Sequence, residues 1–211
     1  MKFNAIVIDP PVPYIRTSGQ GVANRQYALM TWDMLHELGP LIHAVSAPDC
    51  AIFLWVCPPL LVETLTMVQA WKLRYITKAF CWAKLYPAGG FVVGLGSHTR
   101  ANTEDVWLLS NGTPRRKDTT VLQIVPTLEN ADLVQSQNTR HSKKPEEVQT
   151  RIEKLIHGPY LELFARRQRP GWACIGNEID GLDISASLQS LANNHQPEHR
   201  PQSPQTMELT L

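Results

Sequence analysis

Asp9-Pro10-Pro11-Val12 stands directly after the apolar run Phe3-Asn4-Ala5-Ile6-Val7-Ile8. The chemistry this suits is demanding. An exocyclic amine on a purine or pyrimidine ring is a poor nucleophile, because its lone pair is delocalised into the ring. An Asp9 oxygen and a backbone carbonyl stiffened by Pro10 and Pro11 can each accept one of the amine's two hydrogens. The nitrogen then turns towards tetrahedral geometry, with its lone pair aimed at an electrophile. That is catalysis by orientation and preorganised acceptors. The same four residues also suit an aspartate capping a turn that two prolines stiffen, and alone they do not decide between the two.

The elements that would position this motif are readable in outline. Phe3 to Ile8 reads as a buried strand, which the first proline ends because it has no N–H for a ladder. A carboxylate at that point lies at the carboxyl edge of a sheet, where open α/β folds bind ligands. Tyr14, Arg16 and the polar stretch Thr17-Ser18-Gly19-Gln20-Gly21 follow, up to Tyr27. Such a loop suits closure over a substrate as well as plain surface. Thr31 caps a short helix from Trp32 to Leu38. Ala51 to Val56 is a second buried strand, and Pro58-Pro59 opens a helix with Leu61, Leu65 and Val68 at helical spacing, reaching Trp71. Strand material follows at Tyr75-Ile76 and from Ala79 to Ala83, ending at Lys84, with a further strand from Asp105 to Leu109. Trp55, Trp71 and Trp82 read as core. Pro145-Glu146-Glu147 marks a helix start, with Val148, Ile152 and Leu155 facing inward. Leu161 to Phe164 and Trp172 to Ile175 are short strands ending in polar residues, an edge fit for a cofactor with amino-acid and ribose groups. Strands alternating with helices indicate an α/β layer fold.

Composition narrows the function classes. With 211 residues, 43% hydrophobic and 18% charged, the chain is long enough for a real core and reads as soluble. A net charge of +1 supplies no global field for nucleic acid, so polyanion binding must come from local clusters such as Arg115-Arg116-Lys117. Cys50, Cys57, Cys81 and Cys174 lack zinc-type spacing and read as reduced thiols of a cytoplasmic protein. No signal peptide is evident, no apolar run approaches bilayer length, and no metal set is found. Gly89 to Gly96 has the wrong spacing for a dinucleotide loop. From about Leu182 the composition turns polar. The expected organisation is therefore a domain over 1–181 and a disordered tail over 182–211. His195 and His199 in that tail have no supporting ligand.

Taken together, these pieces resemble the DPPW-class N6-adenine methyltransferases. That family includes the catalytic subunit of the mRNA N6-adenosine methyltransferase and small bacterial and phage DNA adenine methyltransferases. The likeness runs in one order from Phe3 to about Gly181. It takes in the DPP core, Tyr27, Phe53-Leu54-Trp55-Val56, Trp82-Ala83-Lys84 and Gly94-Leu95-Gly96 with Thr99 to Glu104. It continues through His141 to Val148, Leu161 to Arg166, and Gly171-Trp172 to Gly176-Asn177-Glu178. The small single-domain form is closer to the prokaryotic and phage members.

The resemblance implies a Rossmann-like fold with a mixed sheet flanked by helices, in permuted motif order, and S-adenosylmethionine as methyl donor. By position, Asp9 and the Pro10 carbonyl, backed by Pro11, would hold the target amino group, with Tyr27 against the base. Lys144, Glu162, Phe164 and Arg166 would line the cofactor pocket, with Asn177 and Glu178 near the ribose. Val12, Tyr14, Arg100, Asn102 and Glu104 would contact substrate. Two departures bear on this. Val12 stands where the family has an aromatic residue, and Ser97-His98 stand where aromatics are usual. A stacking aromatic is worth roughly 1–3 kcal/mol, which Val12 cannot supply, although Tyr14 is two residues on. Asp9, lost in the family's non-catalytic subunits, is present and favours an active enzyme. Adenine in DNA is the favoured substrate. A non-catalytic nucleic-acid-binding subunit and an RNA methyltransferase stay open as alternatives, as does a homodimer or a partner subunit.

Overall fold

Phe3–Ile8 forms strand β1, and Ala5 to Ile8 are at most 1% exposed, as an apolar strand covered on both faces must be. The computed structural model describes residues 2–13, 29–94, 98–128 and 144–194. The further strands are β2 (Ser46–Val56), β3 (Arg74–Leu85), β4 (Thr103–Ser110), β5 (Ile124–Leu128), β6 (Tyr160–Leu163) and β7 (Trp172–Ile175). They form one sheet in the order β5-β3-β4-β2-β1-β6-β7. β1 pairs in parallel with β2 and β6, β6 with β7, and β3 with β5. β4 lies antiparallel between β2 and β3. One consequence governs the site: the carboxyl ends of the other six strands and the amino end of β4 share one edge.

Helices cover both faces. They are α1 (Trp32–His36), α2 (Gly39–Val45), α3 (Leu61–Ala70), α4 (Glu146–Leu155), α5 (Asn177–Asp180) and α6 (Ile184–Asn193). On one face Ile6, Ile8, Ile52, Leu54 and Leu163 pack with Leu35, Ile42, Met67, Val68 and Leu188, which come from α1, α2, α3 and α6. On the other, Ala5, Val7, Phe53, Trp55, Trp82 and Val106 pack with Val148 and Ile152 of α4. The expected α/β mixed sheet flanked by helices is what the chain forms. Among the described residues no helix is long and apolar enough to cross a membrane.

Several elements depart from the sequence reading, three of them instructively. The polar tail does not begin at Leu182: α6 runs from Ile184 to Asn193, with the Asp183 carboxylate accepting the Ala186 N–H at 3.0 Å. Ile184, Ser187 and Leu188 form a buried stripe at helical spacing. Three large apolar residues, Ile184, Leu188 and Leu191, are too few to stand out against that polar composition. Residues 195–211, including His195 and His199, lie outside the described residues. In α3 the inner positions are Thr64, Met67 and Val68, whereas Leu61 and Leu65 are 45% and 40% exposed. Thr64 takes a core position by donating its hydroxyl to the Leu60 carbonyl at 2.7 Å. The sequence reading did not include β5, in which Val125 alone is buried. Its Pro126 is tolerated because β5 is an edge strand.

The helical layer is pinned at Trp71, which is 0% exposed. Its Nε1 donates to the Leu35 carbonyl at 2.7 Å, and its own carbonyl meets His43 Nε2 at 2.7 Å. A Cβ at Gly39 would lie 3.0 Å from Trp71 Cα, so glycine is what lets α2 close on it. Trp71→Ala will lower the unfolding free energy by about 3–5 kcal/mol, read from urea denaturation. A loss under about 1 kcal/mol would show that this layer is not held there.

Candidate active site at the carboxyl edge of the sheet

Alternation along β1 places Ala5 and Val7 on the α4 face, and Asp9 continues that series one residue past the strand end. Ile8 pairs with Leu54 of β2 and Leu163 of β6, so Asp9 opens between Trp55 and Phe164. Its backbone is tied down on both sides. The Pro10 carbonyl accepts the Val12 N–H at 2.8 Å, and the Pro11 carbonyl accepts the Met30 N–H at 3.1 Å. An oxygen with two lone pairs that accepts one hydrogen bond retains capacity for another.

Lys144, immediately before the proline that precedes α4, reaches into this edge. Its ammonium lies 3.1 Å from Asp9 Oδ2 and 3.4 Å from Glu104 Oε2. The ammonium also stands 5.0 Å from the centre of the Trp55 ring, a face that attracts cations. Lys84 completes the group, at 2.6 Å from Glu104 Oε1 and 4.1 Å from the Trp82 ring. Lys84 and Glu104 face each other because the antiparallel pairing of β3 with β4 ends at Ala83 and Thr103. Burial alone would push Lys144 down, but Asp9 and Glu104 outweigh it and hold the ammonium above the ordinary lysine value. Burial pushes Glu104 up, and Lys144 and Lys84 together hold it below the ordinary carboxylate value. The site is thus an alternating array of acids and bases, Asp9–Lys144–Glu104–Lys84, linked by ion pairs of 2.6 to 3.4 Å.

Glu162 lies on the same face of β6, opposite Val7 of β1 and Cys174 of β7. Its Oε2 accepts from Gln149 Nε2 of α4 at 3.3 Å. Burial pushes this carboxyl above its usual range; Gln149, Arg167 and Arg169 oppose the rise, and the charge of Asp9 adds to it. Beyond β6 the chain turns sharply at Phe164, whose φ of 59° is costly for a side chain. The turn brings the Ala165 N–H back to the Ile175 carbonyl at 2.9 Å. Gly176 follows because a Cβ there would stand 2.6 Å from the Ala165 carbonyl oxygen. Arg167 pairs with Glu146, and Arg169 and Trp172 both donate to Glu153 Oε1, at 3.2 and 2.7 Å. These contacts clamp α4 to the segment between β6 and β7, which holds Lys144 over Asp9.

The residues singled out from the sequence fall as follows. Asp9, Lys144, Glu104 and Glu162 converge on the α4 face of the edge. Phe164 and Val12 pack against the apolar cluster of the opposite face. Asn177 and Glu178 are exposed in the first turn of α5, and Glu178 lies 3.8 Å from Arg166. Arg100 is exposed, and the Asn102 carbonyl accepts the Lys84 N–H at 3.3 Å. Tyr14 and Tyr27 lie outside the described residues. The basic cluster at Arg115 to Lys117 does not join the group. The Lys117 N–H donates to the Leu155 carbonyl at the far end of α4, beside an open cleft lined by Asp118, Glu153, Lys154 and His157. Ten helical residues separate the two ends by about 15 Å. The roles of Trp55 and Trp82 as ring faces under the lysines, and of Gln149 behind Glu162, were not read from the sequence. The one signal for Gln149 was a polar residue between the core positions Val148 and Ile152.

Comparison with known proteins adds an independent finding. A family model described as MT-A70 matches residues 3–178. The chain is 27% identical over 211 residues to the Type II methyltransferase M.MunI of Mycoplasma sp, covering 89% of this chain and 82% of that protein. It is 27% identical over 186 residues to the N(6)-adenine-specific methyltransferase METTL4 of Homo sapiens, covering 84% of this chain and 37% of that protein. The METTL4 of Mus musculus is 28% identical over 197 residues, with 89% and 40% covered. The chain thus spans most of the first relative and less than half the length of the METTL4 proteins.

Proposed function

The chain belongs to the MT-A70 family, and on that footing we propose that it is an N6-adenine methyltransferase that takes its methyl group from S-adenosylmethionine and places it on adenine in DNA. The observation that carries this reading is Asp9 at the end of the central strand, with Lys144 3.1 Å away in a charged, half-buried recess. The residues present suit the donor chemically. The Lys144 ammonium matches a carboxylate, the Glu162 carboxyl matches a cationic group, and exposed Asn177 and Glu178 offer polar atoms to ribose hydroxyls. When bound, the donor supplies a methyl group activated on a sulfonium.

The work of the chain's own residues follows from their placement. Asp9 accepts one hydrogen of the adenine amine, and the free lone pair of the Pro10 carbonyl accepts the other. The amine nitrogen is thereby drawn out of conjugation and oriented. Lys144 and Lys84 hold the Glu104 carboxyl below its ordinary value, and the Lys144 ammonium at 3.1 Å fixes the position of the Asp9 carboxylate before substrate arrives. Adenine in a duplex has to be extruded to reach Asp9, at a cost of a few kcal/mol. DNA is favoured over RNA by the resemblance of the co-linear motifs to those of small bacterial and phage DNA adenine methyltransferases. We place the protein in the cytoplasm.

The test is transfer of labelled methyl groups from S-adenosylmethionine to matched DNA and RNA oligomers, followed by nucleoside analysis. N6-methyladenosine confined to RNA would move the substrate, and label on cytosine would overturn the assignment.

A further inference from the structure

Gln149 is 5% exposed on the face of α4 that meets the sheet, between the core residues Val148 and Ile152. An amide there has two donors and one acceptor to satisfy. Its Nε2 donates to Glu162, but its Oε1 is buried with no hydrogen-bond partner among the described residues. A buried acceptor left without a hydrogen keeps the full desolvation penalty of its burial. The group beside it is a carboxyl, which has a hydrogen to give only when protonated. A planar amide and a planar carboxylic acid close into a ring of two hydrogen bonds, amide N–H to acid carbonyl and acid O–H to amide oxygen. An ionised Glu162 leaves the amide oxygen stranded.

We propose that Glu162 and Gln149 form a neutral acid–amide pair in the donor-free protein, and that binding of the cationic methyl donor expels the Glu162 proton to solvent. The inference rests on the reading that Glu162 faces the donor. In the exchange the Glu162 O–H bond breaks, the proton passes to water, and the carboxylate left behind pairs with a cationic group of the donor. The net charge of the recess is unchanged: one cation enters as one proton leaves.

The groups around Glu162 act in both directions, and the balance favours the neutral form. From β1 the Asp9 charge disfavours a second carboxylate, and from β7 Cys174 is a thiol that burial holds neutral. From the segment beyond β6, Arg167 and Arg169 favour ionisation, yet burial outweighs them and the carboxyl is pushed up. Proton release makes donor binding depend on pH. Below the pH at which Glu162 ionises in the free protein, each unit of pH rise tightens the Kd by up to about tenfold, and above it the dependence vanishes.

Calorimetric titration of the full chain with S-adenosylmethionine, in buffers of different ionisation enthalpy between about pH 5.5 and 7, reads the proton count directly. Wild type will release up to about one proton per donor bound, and Glu162→Gln, which keeps an acceptor and a donor against Gln149, will release none. An infrared difference spectrum of the wild-type protein gives a second readout that needs no variant. The band of a protonated carboxyl will be present without donor and lost with it. Donor binding with no proton release and no loss of that band overturns this inference while leaving the methyltransferase reading in place. No donor binding at all overturns both.

Discussion

Asp9→Ala will lower methyl transfer to adenine by about a thousandfold or more, while S-adenosylmethionine still binds. The size follows from what the carboxylate does. It is one of two acceptors that orient the amine, and removal of one preorganised partner of this kind costs about 10²–10³ in rate. Loss of orientation adds to that cost, because an amine returned to full conjugation presents no lone pair to the methyl group. Asp9→Asn keeps one acceptor oxygen without the charge and will fall between wild type and alanine. Both variants will fold, because Asp9 lies beyond the last core residue of β1 rather than within it. The measurement is single-turnover transfer beside a donor titration. Loss of donor binding equal to the loss of rate would make Asp9 a cofactor ligand only.

Lys144→Met will weaken both donor affinity and rate, each by at least about tenfold, and will shift the acid limb of the rate profile to higher pH. Lys144 is the cation shared by Asp9 and Glu104. With it gone, Lys84 is the one remaining cation paired with Glu104 among the described residues, and the protonated form of Glu104 gains. The sign follows from the linkage. Glu104, held below its ordinary value, loses its stabilising charge as pH falls through its folded-state pKa. Without Lys144 that pKa rises, so the loss begins at higher pH. Removing one member of a buried pair costs about 3–5 kcal/mol, to which the residual exposure of Asp9 and Glu104 sets a lower share here. Lys144→Arg will restore the acid limb more than the rate, since a planar guanidinium keeps the charge but not the point geometry. An unchanged pH profile in Lys144→Met would remove Lys144 from the electrostatics of the site.

Much of the fold was legible because its signals are local. The run from Ala5 to Ile8 is apolar at every position, and Pro10 ends it, so the strand and its terminal acid are visible without any partner. The helix opening at Pro145 is equally local. Strand order is not local. Glu104 and Lys84 are brought together by the register of β3 and β4, and Lys144 reaches Asp9 only because α4 packs across β1. Residue types alone do not reveal either meeting; the co-linear family motifs suggested Lys144, and the sheet explains it. The last helix was hidden for a different reason. Its stripe of Ile184, Ser187 and Leu188 holds two large apolar side chains, and its polar neighbours resemble a tail. Gln149 shows the opposite case, a polar residue on an apolar face that reads as a flaw until Glu162 is found opposite it.

The most direct test of the role of Asp9 is a crystal structure of the protein with an unreactive donor analogue and an adenine-bearing oligonucleotide. The account predicts the adenine N6 within hydrogen-bond distance, about 2.7–3.2 Å, of both an Asp9 carboxylate oxygen and the Pro10 carbonyl, with the sulfur-side group of the analogue on the opposite side of the nitrogen. An adenine whose amino group lies elsewhere while Asp9 faces solvent would contradict it.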